Sequence, residues 1–474
     1  MRPLCARFAF ALLFVVLVAT GCSQPRNAET LYREYCAACH GANLEGASAP
    51  SMLDDLWTHG GSDAELTRLI AEGDLERGMP GWAAAFSAAE IRSLVVYINE
   101  RRVGYSRNRD TLPPPAPDHV FATEAHRFRV ETVVDDVDTP WSLNWLPDGT
   151  LLFTEKSGSL RRLTPAGELL PPVMDTPWVD GSGQAGLLEV APHPDYATNG
   201  WIYLTFSDPQ VNSAGENVSF TKVVRGRIRD DVWVDEEVIF ATDVDRYRRP
   251  GGPHYGSRIV FADGYIFFGI GDRGRQDEAQ DLTRPNGKIH RLFDDGRVPP
   301  DNPFVGRADA LPSIWSFGHR NPQGLDRDPR DGALWETEHG PRGGDELNRI
   351  QAGRNYGWPV ITYGMNYNGT PITGDTARPG LEQPVTHWTP SIAVCGIDFY
   401  EGDAFPGWTG NLLVTALAQQ HLRRVVIEDG VVTHQEILLQ DFGRCRDVAT
   451  GPDGLVYVAL NNPNRIVRLR PVAE

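Results

Sequence analysis

Pro147-Asp148-Gly149 opens onto Thr150-Leu151-Leu152-Phe153-Thr154, and the same unit of turn, glycine and β-prone run returns along the chain. Thr198-Asn199-Gly200 leads into 201–205, and Ala262-Asp263-Gly264 into 265–269. Arg330-Asp331-Gly332 leads into 333–337, Trp408-Thr409-Gly410 into 411–415, and Pro452-Asp453-Gly454 into 455–459. Asn and Asp before Gly favour tight turns, and the runs that follow are rich in aromatic and branched side chains. Six copies of one unit predict an all-β, six-bladed propeller over 119–474, each blade a four-stranded sheet around a central axis. The copies lie about 45 to about 80 residues apart, which leaves room for loops inserted between blades. A β-sandwich, the rival architecture, has no reason to use the same unit six times.

Composition agrees with a turn-rich β architecture, because Gly (48) and Pro (36) are both abundant. At 474 residues the chain should hold more than one domain. A formal charge of -18 argues against a nucleic-acid partner, since neutralising phosphates takes Lys and Arg. It suits an uncharged substrate.

The N-terminal part is different. Cys36-Ala37-Ala38-Cys39-His40 has the spacing for covalent haem c: two thiols bond the vinyl groups and the adjacent His reaches the iron. A redox dithiol would not need His40, and a zinc site would want two more Cys or His. Met79, in Gly78-Met79-Pro80-Gly81-Trp82, resembles the axial-methionine loop of class I cytochromes c, with Met52 as its competitor. Ile91, Leu94, Val95 and Ile98 recur at helical spacing within 87–101, and 30–35 is also helix-compatible. These features predict a small all-α cytochrome c domain over 27–104. A linker, 105–118, contains the Pro-rich stretch 111–118 and should be extended and semi-rigid.

Residues 1–21 read as a secretory signal, with Arg2 and Arg7 ahead of the apolar run 8–19. Cys22, after Ala19-Thr20-Gly21, resembles a bacterial lipoprotein cleavage site; simple cleavage is the alternative. Either route predicts a periplasmic protein, and lipidation adds a membrane anchor. Cys395 and Cys445 remain as a pair, a disulfide or two buried thiols.

From about Pro140 onward the sequence resembles the soluble glucose and aldose sugar dehydrogenases that use pyrroloquinoline quinone (PQQ). Gln184-Ala185-Gly186-Leu187-Leu188 with His193-Pro194-Asp195 resembles an early motif whose Gln contacts substrate. His254-Tyr255-Gly256-Ser257-Arg258 resembles the catalytic motif, with His254 as general base and Asp272 of Ile270-Gly271-Asp272 as its carboxylate partner. The resemblance implies that Arg320 and Asn321 touch the quinone and that Arg444 and Arg446 hold cofactor carboxylates. It implies Ca²⁺ on the backbone carbonyls of Gly340 and Pro341, and a structural Ca²⁺ at Glu346 and Tyr356, beside Asp345. These residue types suit the chemistry: Arg forks match carboxylates, and calcium takes hard oxygen ligands. Two features depart from the family pattern or lie loosely within it. Ala418 stands where glucose-oxidising members place a cofactor-binding Lys, and Trp388 is either a ring stacked on the quinone or a core residue.

The reading that follows is a quinohaemoprotein. It oxidises an aldose at C1 by hydride transfer to PQQ and passes electrons singly to the haem on His40 and Met79, and then to an external acceptor. A propeller that only binds carbohydrate or protein is the second reading. A lactonase-type hydrolase is the third, and would need an axial cage of acidic and Asn side chains.

Overall fold

Asn27 starts the first helix, α1 (Ala28–Tyr35), by accepting the Glu29 and Thr30 N–H groups on its side chain. The computed structural model describes residues 25–54, 57–109 and 118–472. The predicted signal peptide, Cys22 and most of the Pro-rich stretch lie outside them. A short helix, α2 (Ala37–His40), carries the second Cys and the His of the haem motif. Ser62 and Glu65 form a capping box at the start of α3 (Asp63–Glu72). The long helix α4 (Ala88–Arg109) runs well past the predicted end at 101. No helix of the described residues is long and apolar enough to cross a membrane.

The remainder is six sheets arranged as the blades of a propeller. The innermost strands are Pro140–Trp145, Leu187–Pro192, Ile259–Ala262, Pro322–Arg327, Val394–Phe399 and Arg444–Thr450. Every one of the six turn-glycine units joins an innermost strand to the second strand of its own blade. The glycines there have φ between +66° and +84°, a left-handed conformation that costs a residue with a Cβ.

Two blades depart from four strands. The first has only Pro140–Trp145, Leu151–Glu155 and Leu160–Leu163. Beyond it the chain leaves the sheet, with isolated bridges from Leu163 to Leu169 and from Met174 to Val232. The last has five, because the N-terminal strands Val120–Ala122 and Arg127–Asp135 add to the C-terminal Arg465–Pro471. Phe128 pairs with Pro471 and Asp135 with Arg465, so the two ends of the domain close the ring.

Apolar side chains pack between neighbouring blades. Trp335 and Leu347 of the fourth meet Val394, Leu412, Val414 and Val425 of the fifth. The axis is polar instead. Arg258 pairs there with Glu189 at 2.8 Å and Asp447 at 2.9 Å, and Asp326 and Asp398 line the same cavity. Five of the six innermost strands carry a register shift against the second strand. Bulges of this kind re-aim side chains at the mouth of a site.

Candidate active site

His254 lies in the loop that enters the third blade and adopts φ +62°, unusual for a residue with a side chain. Gln184 accepts its backbone N–H on Oε1 at 2.8 Å. Its Nδ1 meets Asp272 Oδ1 at 2.5 Å. Asp272 follows the second strand, Tyr265–Ile270, by way of Gly271. That glycine is required by proximity, because a Cβ on it would stand 2.5 Å from the His254 carbonyl oxygen. The other Asp272 oxygen accepts from Trp358 Nε1 at 2.8 Å, and the Gly274 N–H reaches Oδ1 at 2.7 Å.

The electrostatics follow from burial. Burial and the nearby Arg320 hold His254 below its ordinary value, with Asp272 pulling the other way. Burial opposes ionisation of Asp272, but His254 and Arg320 outweigh it and keep the carboxyl below its usual range. The pair is thus a neutral imidazole on an ionised carboxylate near neutral pH.

Arg320 stands beside this pair, its guanidinium bonded to the His339 and Gly340 carbonyls at 2.9 and 3.0 Å. Asn321 accepts the Gly256 N–H at 3.2 Å, which ties the fourth blade to the His254 loop. Arg446 projects from the last blade, stacked on Trp141 at 4.0 Å and bonded to Gln323 and Asn461. Arg444 occupies the same strand, half-buried, opposite Asn461. His339 is held well below its ordinary value by burial and by Arg320, Arg446 and His254, which shows how closely these groups converge. Trp141 Nε1 and His339 Nε2 are buried donors or acceptors without hydrogen-bond partners. A cluster of cations with unfilled polar atoms suits an acceptor-rich polyanion, and the three carboxylates and two quinone oxygens of PQQ fit that description.

Below Gly340, strands Leu334–Glu338 and Asp345–Ile350 pair so that Glu338 faces Glu346 and Glu336 faces Asn348. Ligand atoms of His319, Glu336 and Glu338 lie within 4.8 Å of one another. Burial and mutual repulsion push Glu336 and Glu346 well above the usual carboxyl range. Glu336 Oε1 and Asn348 Oδ1 are buried without partners. A hard divalent cation would satisfy both the charge and the orphaned oxygens. Tyr356 borders the same pocket, but its hydroxyl is committed to the Arg349 carbonyl at 2.6 Å, leaving only its backbone carbonyl for a cation. Asp345 instead shapes the turn, accepting from Gly340 N at 2.9 Å and from Ser391. Pro341 is buried in that turn.

In the helical domain Cys36 is half-buried and Cys39 exposed. Burial holds the His40 imidazole below its ordinary value, against the effect of the Pro50 carbonyl. Met79 is pinned through paired backbone bonds to Asp74 at 2.8 and 2.9 Å. Cys36, Met52, Met79, Trp57 and Trp82 all border one apolar cluster, half-covered, as the wall of a haem pocket would be. Both methionines therefore border that cluster.

Several other expectations resolve. Cys395 and Cys445 are buried and unbonded, so the free-thiol alternative holds; Cys395 Sγ lies 3.3 Å from the Arg446 guanidinium. Trp388 is a core residue, packed between blades with its Nε1 on Gln435 at 3.0 Å. His193 braces a turn, its Nδ1 accepting the Asp195 N–H at 2.9 Å. Ala418 offers no cation. Sequence reading missed Trp358, Trp141, His339 and the Glu336–Glu338 pair. Of these only the last had a visible signal, alternate acidic residues in a buried strand.

Two family models match separate parts of the chain. Residues 137–468 match the family model for glucose/sorbosone dehydrogenase, and 23–98 match that for cbb3-type cytochrome c oxidase subunit III. An aldose sugar dehydrogenase of Escherichia coli K12 is 41% identical over 337 residues, 69% of this chain and 89% of that protein. The PQQ-bound aldose sugar dehydrogenase of Streptomyces coelicolor superposes with a TM-score of 0.59 at 27% identity, over 76% of this chain and all of that one (100%). The helical segment is 34% identical over 88 residues to the oxidase subunit CcoP of Azospirillum brasilense, covering 17% of this chain and 30% of that protein.

Proposed function

The chain belongs to the glucose/sorbosone dehydrogenase family, and from that premise we propose that it is an extracytoplasmic, PQQ-dependent aldose dehydrogenase that passes electrons to its own haem c. The observation that carries the reading is the buried His254–Asp272 pair facing the Arg320 and Arg446 cations, in a chain that also bears a haem attachment motif.

When bound, PQQ supplies a two-electron acceptor for the C1 hydride, and haem c supplies a one-electron carrier. The protein's own groups do the rest. With Nδ1–H donated to Asp272, the Nε2 lone pair of His254 is free to take the proton of the C1 hydroxyl. Asp272 holds the ring in that tautomer and supports the imidazolium that results, while Trp358 and Gly274 fix the carboxylate. Gln184 uses its carbonyl on His254 and keeps its exposed amide N–H groups for a sugar hydroxyl. Arg320 would offset negative charge on a bound quinone, with Asn321 beside it.

Arg444 and Arg446 would hold cofactor carboxylates, and Lys156, half-buried and sensitive to the charge of Arg446, is the candidate for the cation that Ala418 lacks. Ca²⁺ at the cofactor would use the Gly340 and Pro341 carbonyls, displacing Arg320 from the first. A structural Ca²⁺ would use Glu346, Glu336, Glu338 and the Tyr356 carbonyl. His40 and Met79 would ligate the iron, with Cys36 and Cys39 as the thioether anchors. The N-terminal sequence supports export, lipidation at Cys22 would add a membrane anchor, and an external carrier would take electrons onward.

The test is sugar-driven haem reduction in purified protein loaded with PQQ and Ca²⁺. Reduction should require cofactor and aldose together and vanish in His254→Ala. A protein that binds no PQQ would overturn the reading in favour of a carbohydrate- or protein-binding module.

A further inference from the structure

Helix α4 is buried from Glu90 to Asn99 without a break. A helix on the surface of its own domain should bury one stripe, so a second surface must cover the other side. Within the helical domain α4 packs on α1 and α3, in a cluster with Leu31, Tyr32, Leu66 and Ile70. The propeller covers the opposite face. Gly374 lies against Ala89, where a Cβ would stand 3.0 Å from the backbone nitrogen, and a Cβ on Gly343 would stand 3.3 Å from Val96 Cγ1. Between these two, Arg92, 7% exposed, binds Asp63 at 2.6 Å and the Tyr363 carbonyl at 3.0 Å. One turn beyond Val96, Glu100 pairs with Arg342. Contacts at 89, 92, 96 and 100 form one face of the helix. At its other edge Ala28 N–H donates to the Gly369 carbonyl at 2.9 Å, and Asn27 to Asn368.

The propeller segment in these contacts is also a wall of the active site. Met365 is fully buried in the cytochrome cluster that Cys36 and Met79 border. Two residues on, Tyr367 lies with its ring 5.9 Å from the Arg320 guanidinium carbon. Arg342 joins the two sides: its backbone pairs with Met365 at 3.0 and 3.1 Å, and its guanidinium bonds Glu100 and the Tyr367 carbonyl. It directly follows Gly340-Pro341.

We propose that the cytochrome is locked through α4 onto the rim of the active site, with Arg342–Glu100 as the latch and 363–369 as the segment that positions the haem domain for electron transfer from the cofactor. The inference rests on the proposed dehydrogenase function, and both residues are positioning residues.

Full-length protein loaded with PQQ, Ca²⁺ and haem tests it through Glu100→Arg and the charge swap Glu100→Arg/Arg342→Glu. Three quantities are read: sugar oxidation with an external dye, sugar-driven haem reduction, and radius of gyration by small-angle scattering. Glu100→Arg should keep dye-coupled turnover, slow haem reduction about tenfold or more as the tethered domain undocks, and raise the radius of gyration. The swap should restore both. A Glu100→Arg protein that stays as compact as its parent and reduces haem as fast overturns the proposal. So does a parent that oxidises sugar with dye yet never reduces its haem. A parent inert with dye would sink the dehydrogenase reading instead, and an extended shape in that parent would overturn the docking as well.

Discussion

Asp272 joins the two halves of the proposed chemistry, since one oxygen holds His254 and the other holds Trp358. Asp272→Asn should preserve the fold and lower kcat by about 10²- to 10⁴-fold, because the amide no longer selects the tautomer or supports the imidazolium. Dye-coupled turnover checks it, with KM expected to change little. The pH profile adds a signed test. Burial and Arg320 lower the His254 pKa, so the base stays neutral below the usual histidine range and kcat/KM should hold up at mildly acid pH. Asp272 opposes that lowering, so Asp272→Asn should move the acid limb to still lower pH. At this scale His254, Asp272, Arg320 and Arg446 were legible from their motifs. Trp358 was not, because its partner lies 86 positions away and nothing near it in the chain marks the contact.

A pair of strands explains the acidic cluster better than any of its members. Alternation puts Glu336 and Glu338 on one face of Leu334–Glu338, and antiparallel register sets Asn348 and Glu346 opposite them. Like charges forced together in the interior need a cation or protons. Treatment with EDTA should therefore lower Tm by about 5 °C, and Ca²⁺ should restore it. In Glu346→Gln the response to Ca²⁺ should shrink, as differential scanning calorimetry would show. The hairpins give a cleaner backbone test. Gly264 has φ +82°, and a Cβ placed there would meet nothing within 4 Å, so Gly264→Ala should cost about 1 kcal/mol by conformation alone and leave activity intact. The turn glycines were readable because their constraint is local. The register that gathers the carboxylates is not local, and only the alternation of acids hinted at it.

Ring closure governs the molecule as a whole. The strand Arg127–Asp135 has Arg465–Pro471 as its partner, more than 300 residues along the chain. Deleting 465–474 should leave both the last and the first blade uncovered and abolish cooperative unfolding, a loss measurable by thermal denaturation. Six repeated turns, a haem motif and scattered cofactor-type residues determined from sequence alone that a cytochrome precedes a propeller built for redox chemistry. Each of those signals is short-range, carried by a few neighbouring residues whose chemistry or φ preference shows in their identity. Tertiary structure alone decided that the first blade has three strands and the last five, that Cys395 and Cys445 remain unbonded, and that α4 is enclosed on both sides. These outcomes depend on which distant segments meet, and the free energy of such contacts is set by packing across blades and domains.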